Sequence, residues 1–438
     1  MESELAICAI CRKETDPRSP VEVDESVSRL LAVNARPWEP GKPICGDCLA
    51  PFIRVRDQMT ATFPQFAHQE LKIIPTPVRL DASDERRGRG ITIAFLDSGF
   101  YAHPDLTWPN NRILKYVNLV GRSLRTDLKA PQVSSWHGMM TSVVAAGNGF
   151  LSGGLYRGIA SEADVVLVKV GSASRILHED IARGLRWVIR NRKRYNIRIV
   201  NISCGGDREA SYLHDELSQA AEDAVRAGLV VVAATGNAGN DSRHPVLPPA
   251  SAPSVITVGG LDDKNNLEFA DNDMYRSSYG PTIDGLQKPE LIAPGIWIAA
   301  PILPGTPTAD QAALLSELEQ AADAELEGII RRNPGVDGDL DQAAPLAPYI
   351  IRQVVWIKVR DNNIISGHYK HVDGTSFAAP IVSSVAAQML EARPELKPHE
   401  VKQILIKTAV RIPHVAVDRQ GWGMVNPRFA VSCVTGNA

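Results

Sequence analysis

Five short apolar runs lie between residues 91 and 260, and they restrict the fold more than any other feature of this chain. They read ITIAFLD, ADVVLVKVG, IRIVNIS, LVVVAATG and SVITVGG. Uninterrupted apolar runs of this length are typical of strands buried on both faces of a parallel sheet. Stretches with helical spacing of apolar residues, such as HEDIARGLRWVIRNRKRY, separate them. The alternation predicts an α/β fold with a mainly parallel central sheet covered by helices on both faces.

The composition excludes several classes of protein. A formal net charge of -3 over 438 residues gives no sign of nucleic acid or an anionic membrane as the main partner. The chain contains no run of about 18 apolar residues, so we predict no transmembrane helix. Its first residues lack a basic segment followed by an apolar one. We therefore expect no secretory signal and a cytoplasmic location.

Residues 1–60 differ from the rest of the chain because they hold two CxxC pairs and show little periodicity. The cysteines are Cys8, Cys11, Cys45 and Cys48. Two such pairs can supply four thiolates to one tetrahedral zinc ion. The gap of 33 residues between the pairs exceeds the commonest spacing, and two redox pairs or a chance arrangement are the alternatives. So short a polar segment can scarcely fold alone, and a structural zinc ion would stabilise it.

The remaining chain divides into a linker at 61–90 and a main domain at 91–431, which a segment at 304–368 interrupts. The first part of that segment, TADQAALLSELEQAADAELEGIIRRN, predicts one amphipathic helix with a capping box that begins at Thr308. The second part, PYIIRQVVWIKVRDNNIISGHYKHV, predicts a hairpin that turns at Asp361–Asn363.

Four polar side chains stand where an open α/β fold places its functional site. Asp97 ends the first apolar run, and Asn237 follows the fourth. His137 and Ser376 each open an apolar stretch that predicts a helix. Strand ends and helix starts meet at one edge of a parallel sheet. A nucleophile, a base, a group that holds the base and a donor for an oxyanion are the parts that acyl transfer requires.

These motifs resemble those of the subtilisin-like serine protease family, also called subtilases. LDSGFYAHPDL, HGMMTSVVAAG and GTSFAAPIVSSVAA are similar to its aspartate, histidine and serine motifs, and the order along the chain is that of subtilisin. VNISCGG, VVVAATGNAGN and the terminal GWGMVNPRFAV are also similar to family segments. The resemblance covers roughly residues 88–303 and 369–431. One departure is Met140, which stands where the family usually has a second histidine, and we expect altered packing behind His137.

The resemblance implies a role for each of these residues. Ser376 would attack the scissile carbonyl, His137 would act as base and then as acid, and Asp97 would hold the imidazole. Asn237 would donate its amide to the oxyanion. The implied substrate is a protein or peptide bound as an extended strand. The implied substrate-binding residues are Ser203, Cys204 and Gly205, which would line the groove as a strand edge, and Ala234, Thr235 and Gly236, which would lie along one wall of the specificity pocket.

Two further expectations follow from the same resemblance. The peptide bond between Pro248 and Pro249 should be cis, as is usual in the family's corresponding turn. The segment from His103 to Asp105 is similar to one that often helps to bind calcium, so a Ca²⁺ site is considered there.

The segment at 304–368 exceeds the length that the family template needs, and it returns directly into the serine motif. We therefore predict that it gates or selects substrates, against the alternative of a surface decoration. Three functions are considered for the whole chain. The first is an intracellular endopeptidase, and the second is a catalytically silent peptide-binding protein. The third is a zinc-dependent adaptor, in which a partner bound to residues 1–60 regulates the protease domain. A regulatory protein partner is also considered at the insertion.

Overall fold

The computed structural model describes residues 6–15, 23, 27–28, 31, 38–39, 41–50, 52–53, 72–121, 128–172, 174–239, 241 and 245–436. The described strands are β1 (Ala6–Ile7), β2 (Glu14–Thr15), β3 (Thr92–Asp97), β4 (Ile113–Asn118), β5 (Asp164–Lys169), β6 (Ile197–Ile202), β7 (Val230–Ala234), β8 (Ile256–Asp262), β9 (Asp273–Met274), β10 (Gly280–Pro281), β11 (Gln287–Lys288), β12 (Leu291–Pro294), β13 (Ile298–Pro301) and β14 (Tyr369–Val372). The described helices are α1 (Thr76–Arg79), α2 (Pro104–Thr107), α3 (Ser135–Ala146), α4 (His178–Asn191), α5 (Glu216–Arg226), α6 (Pro307–Gln320), α7 (Leu326–Arg332), α8 (Gly338–Ala343), α9 (Pro348–Asp361), α10 (Thr375–Ala392), α11 (Pro398–Thr408), α12 (Val417–Gln420) and α13 (Pro427–Thr435). None of these helices combines the length and the hydrophobicity that crossing a bilayer requires.

A parallel sheet forms the centre of the main domain. Among the described strands its order is β12-β8-β7-β6-β3-β5-β4, and β9 adds an antiparallel neighbour to β8. The five apolar runs of the sequence form β3, β5, β6, β7 and β8, as predicted. The strands β4 and β12 were not predicted. Strand β4 is a partly exposed edge strand without an apolar run, and β12 is short and ends in proline.

Helices cover both faces of this sheet, so the predicted three-layer α/β fold is confirmed. Alternate residues of β3 point to opposite faces, as the period of a strand requires. Ile93 and Phe95 belong to the buried core that α3 and α10 cover. Ala94 and Leu96 belong to a second core, which α4 and α5 cover. The carboxyl ends of the strands are thereby left open at one edge of the sheet.

Residues 72–90, which the sequence assigns to a linker, pack against the main domain. Arg79 in α1 forms a 2.5 Å ion pair with Asp263, and both side chains are buried. Arg79 also donates to the carbonyl oxygen of Trp297 at 2.9 Å. A segment held by a buried ion pair is part of the folded domain. The prediction that residues 72–90 form a linker is therefore corrected. Residues 61–71 lie outside the described residues.

The insertion at 304–368 forms a helical layer with a buried core of its own. The prediction of a single helix is wrong, because the chain leaves helical geometry at Ala321 and the segment divides into α6 and α7. The predicted start at Thr308 is also wrong. The N-cap is Thr306, whose hydroxyl accepts a hydrogen bond from the backbone N–H of Ala309 at 3.3 Å.

The predicted hairpin at the end of the insertion is wrong as well. Its first half is helix α9, which buries Ile351, Val355 and Val359 at helical spacing. Its second half is strand β14, which pairs with β13 in antiparallel register, with Ile298 opposite Val372. The partner strand thus comes from the chain that precedes the insertion, and it ties the end of the insertion to the main domain.

The described part of residues 1–60 forms a small module against the main domain. Strands β1 and β2 pair as a short antiparallel hairpin. A buried apolar cluster in the module contacts Val78, Leu155 and Leu267 of the main domain. These contacts bury apolar surface between the described part of the module and the main domain.

Candidate active site

Asp97 and His137 form a hydrogen-bonded pair at the open edge of the sheet. Asp97 is the last residue of β3, and His137 lies in the first turn of α3. The Nδ1 atom of His137 lies 2.9 Å from each carboxylate oxygen of Asp97. The backbone N–H of Ser98 donates to the same carboxylate at 2.7 Å. A buried carboxylate fixed in this way holds the imidazole in one tautomer, with Nε2 left to accept a proton.

Close main-chain packing sets the distance between these two residues. A Cβ atom at Gly138 would lie 2.2 Å from the carbonyl oxygen of Gly99 and 2.9 Å from the Cβ atom of Asp97. Glycine therefore allows α3 to approach the end of β3 this closely. Met139 and Met140, which follow Gly138 in α3, are both buried in the core. An apolar core side chain thus fills the position where the family usually has its second histidine.

The surroundings of His137 change the pKa of its imidazole. Burial lowers the pKa of the imidazole, but the charge of Asp97 and the hydrogen bond to it outweigh burial, and the pKa is raised above its ordinary value of 6.5. The ring packs edge-on against Trp136, with 5.2 Å between ring centroids, and Phe377 lies on another side at 6.0 Å. The imidazole is thus screened from part of the solvent and becomes neutral only when the pH rises above this pKa.

Ser376 lies in the first turn of α10 and lines the same cavity as His137. Its hydroxyl donates to the carbonyl oxygen of Ser203 at 3.0 Å, and the Ser203 hydroxyl donates to the carbonyl oxygen of Ser376 at 2.8 Å. These reciprocal bonds tie the start of α10 to the end of β6. Nucleophilic attack therefore requires the Ser376 hydroxyl to leave the Ser203 carbonyl and turn toward the imidazole.

Asn237 is held so that its amide N–H groups are available. Its Oδ1 atom accepts hydrogen bonds from the backbone N–H of Thr375 at 2.9 Å and from the Thr375 hydroxyl at 3.0 Å. A Cβ atom at Gly374 would lie 3.8 Å from the Asn237 amide, and this glycine has a φ of 139°. With Oδ1 anchored, Nδ2 is the atom left to donate to a negative oxygen beside Ser376.

Two cavities meet at Ser376 and Asn237, which line both of them. The larger cavity has a volume of about 700 Å³. Its walls include both predicted substrate-binding segments, namely Ser203, Cys204, Gly205, Ala234, Thr235 and Gly236. The smaller cavity has a volume of about 340 Å³, and His137 lines it. The peptide bond between Pro248 and Pro249 is cis, as predicted.

The sequence motifs did not reveal Thr375 as the anchor of Asn237 or Lys169 as a support of the Asp97 loop. The Lys169 ammonium donates to the carbonyl oxygen of Ser98 and, at 2.9 Å, to the hydroxyl of Ser134. Lys169 ends β5 directly after a run of buried apolar residues, VVLV. A charged residue at such a position needs partners, and this signal in the sequence could have pointed to it.

Four sulfur atoms converge in the N-terminal module, and they belong to Cys8, Cys11, Cys45 and Cys48. All four lie within 4.8 Å of one another, and the pair from Cys11 and Cys45 is 3.6 Å apart. Burial raises the pKa of the Cys8 thiol, but backbone N–H groups outweigh it and lower the pKa to about 6. Sulfurs around a tetrahedral zinc ion stand about 3.8 Å apart at a Zn–S distance of about 2.3 Å. The donor set therefore fits a metal ion such as zinc.

The segment considered for calcium is engaged by protein groups. One oxygen of the buried Asp105 carboxylate accepts from the Tyr369 hydroxyl at 2.6 Å, and the other accepts from the backbone N–H of Leu151 at 3.1 Å. His103 caps the same turn by accepting from the backbone N–H of Asp105. Asp105 thus links β14 to the loop after α3.

Comparisons with known proteins agree with this geometry. Serine protease AprX of Bacillus subtilis (strain 168) is 32% identical over 333 residues, which are 73% of this chain and 61% of that protein. Subtilisin BL of Lederbergia lenta is 29% identical over 211 residues, 48% of this chain and 65% of that protein. The chain thus spans less than two thirds of each of these relatives.

A solved structure and a family model extend the comparison. The structure of the prenylagaramide maturation protease PagA matches with a TM-score of 0.51 and 20% identity, over 82% of this chain and 97% of that one, which shows a shared fold. The model of the Subtilase family matches residues 88–423, well over half of the chain. The chain therefore belongs to the Subtilase (Peptidase S8) family.

Proposed function

We propose that this chain is a serine endopeptidase that hydrolyses peptide bonds with Asp97, His137 and Ser376. The observation that carries the proposal is the Asp97–His137 pair, joined by two contacts of 2.9 Å beside Ser376. His137 takes the proton of the Ser376 hydroxyl as it attacks the scissile carbonyl, and then gives that proton to the leaving amine. Asp97 stabilises the imidazolium that forms in between.

Substrate binding and oxyanion stabilisation complete the mechanism. The Nδ2 atom of Asn237 and the backbone N–H of Ser376 donate to the oxyanion as it develops. The peptide lies as an extended strand along residues 203–205 and pairs with their main chain. The side chain before the scissile bond then enters the larger cavity, whose walls those residues form.

A fluorophosphonate probe tests this proposal, because it reacts with an activated serine. We expect covalent labelling at Ser376, located by mass spectrometry of the digested chain. The labelling rate should rise with pH through a pKa above 6.5, because His137 has a raised pKa and only its neutral form is a base. A folded chain that takes no label, or a rate that is flat from about pH 5 to about pH 8, would favour a catalytically silent peptide-binding protein.

The proposal includes one structural zinc ion held by the four clustered cysteines. Four thiolates leave no position for water, so this ion would stabilise the module and take no part in hydrolysis. Reduced thiols persist in the cytoplasm, and we therefore place the protein there.

Metal analysis of the purified chain should give about one zinc ion per chain. The variant Cys45→Ser should lose most of this zinc, because three thiolates no longer close the site. It should also unfold at a lower temperature, since metal binding and folding of such a module are coupled. Cys433→Ser is the matched control, and it should keep the zinc. A wild-type chain with four reduced thiols and no zinc would contradict the assignment.

The role of the insertion at 304–368 stays a prediction, namely that it gates or selects substrates. Its support is that Asn363, near its end, lines the smaller cavity together with His137 and Ser376. This position beside the active site favours a role in substrate access over the alternative of a surface decoration. A regulatory protein that binds the insertion or the N-terminal module would then act on substrate access or on stability, respectively.

A further inference from the structure

The smaller cavity lies where the leaving half of a substrate would be. Ser376 and Asn237 line both cavities, so the scissile carbonyl belongs at their junction. His137 lines the smaller cavity, and under the proposed function it passes its proton to the leaving amine. The residues that follow the scissile bond therefore enter the smaller cavity.

The end of the insertion and strand β14 build one side of this cavity. Side chains of a strand alternate between its two faces. The ring of Tyr369 packs against Tyr156. His371 lines the smaller cavity, and its ring packs against Trp297 with 4.9 Å between ring centroids. Lys370 follows the buried Tyr369, faces the opposite side of the strand and also lines the smaller cavity.

Lys370 brings a positive charge that no described residue neutralises directly. The residue is half-buried, and its ammonium forms no hydrogen bond or ion pair with any described residue. Burial lowers the pKa of this ammonium, and the charge of Asp373 raises it. A partly desolvated ammonium without a partner is a ready binding group for a carboxylate.

Asp373 also lines the cavity, but it is exposed and forms no ion pair with Lys370 among the described residues. Burial raises the pKa of its carboxyl, and Arg276 lowers that pKa more strongly than Lys370 does. Asp373 therefore leaves the Lys370 ammonium available. The apolar rings of Trp136 and Phe377 form the rest of the surface near His137 and reduce its contact with water.

We propose that the smaller cavity selects substrates that carry a carboxylate on the leaving side of the scissile bond, with Lys370 as its counter-ion. That the smaller cavity holds the leaving side of the substrate rests on the proposed function. The carboxylate has two sources, either an aspartate or glutamate side chain shortly after the scissile bond, or the free C-terminus of a short leaving peptide. Both present the same group to the ammonium.

Matched peptides separate these sources. A fluorogenic peptide that the full chain cleaves is varied at the residues after the scissile bond to alanine, glutamate or lysine, each with an amidated C-terminus. A second series keeps alanine and carries a free C-terminus two or three residues after the bond. We expect kcat/KM to be about tenfold higher for one of the carboxylate forms than for the neutral amidated peptide.

Charge variants test the assignment to Lys370. Lys370→Met keeps the length of the side chain and should remove the preference. Lys370→Glu should shift it toward the lysine peptide. Lys407→Glu is the matched control, since it makes the same charge change on an exposed part of α11, and it should leave the preference intact. A wild type that cleaves all forms equally, or that prefers lysine, would overturn the inference, as would a Lys370→Glu variant that still prefers the carboxylate.

A binding measurement tests this inference independently of the proposed hydrolytic function. The Ser376→Ala chain is titrated with the same peptides, and affinity is measured by fluorescence anisotropy. Tighter binding of a carboxylate peptide that Lys370→Met abolishes supports the inference, even if the wild type hydrolyses nothing. Equal affinities for all forms contradict it, even if the wild type is an active peptidase.

Discussion

Replacing Ser376 with alanine is expected to lower kcat by about 10⁶, the size of loss measured when subtilisin loses its nucleophile. The reason is that the attacking oxygen is removed, while the cavities and the Asp97–His137 pair stay in place. The bond that Ser376 donates to the Ser203 carbonyl is lost as well. That single bond contributes about 1 kcal/mol to stability, so the fold should persist.

The measurement is steady-state hydrolysis of a peptide substrate, with circular dichroism to check the fold. Ser432→Ala is a suitable control, because Ser432 lies in α13, lines neither cavity, and alanine suits a helix. Its kcat should equal that of the wild type. If Ser376→Ala retained hydrolysis near the wild-type rate, another nucleophile would have to be sought.

Replacing Asn237 with alanine should lower kcat by about 10²–10³ with little change in KM, a magnitude known from the equivalent donor of subtilisin. In the proposed mechanism the amide of Asn237 stabilises charge that develops only in the transition state, so its loss should not weaken ground-state binding. A large rise in KM with an unchanged kcat would instead assign Asn237 to substrate binding.

Thr375→Val is expected to give a smaller effect of the same kind as Asn237→Ala. It removes one of the two donors to Oδ1 of Asn237 but keeps the backbone N–H that donates at 2.9 Å. The amide should therefore be less firmly positioned but still present, and the loss in kcat should be smaller than for Asn237→Ala. An equal loss would mean that the Thr375 hydroxyl does more than position the amide.

Local patterns account for the parts of this fold that the sequence predicts. Strands β3 and β5 to β8 are buried on both faces, so each appears in the sequence as an apolar run. Such a run can be recognised without knowing which strands pair with it. Asp97, His137, Ser376 and Asn237 stand at strand ends or helix starts within short motifs, and the structure brings them to one edge of the sheet. What was predictable is therefore what a few consecutive residues determine.

The errors arose where distant contacts decide the structure. In α9 the β-branched residues favour a strand, yet Ile351, Val355 and Val359 share one helical face that the insertion core buries. Strand β14 exists because Tyr369–Val372 pairs with β13, a strand that precedes the whole insertion. The ion pair of Arg79 is equally remote in sequence. No local pattern contains such partners.

Because β13 pairs with β14, the two ends of the insertion should differ in how well they tolerate added or deleted residues. At its beginning, between β13 and α6, an added residue lengthens a loop and leaves the sheet register as it is. Between Asn363 and Tyr369, one residue more or fewer could shift β14 by one step against β13. Each side chain of the strand would then face the opposite side, and Lys370 would exchange places with a buried neighbour. Loop-length variation among homologous chains should accordingly accumulate at the first end and be rare at the second.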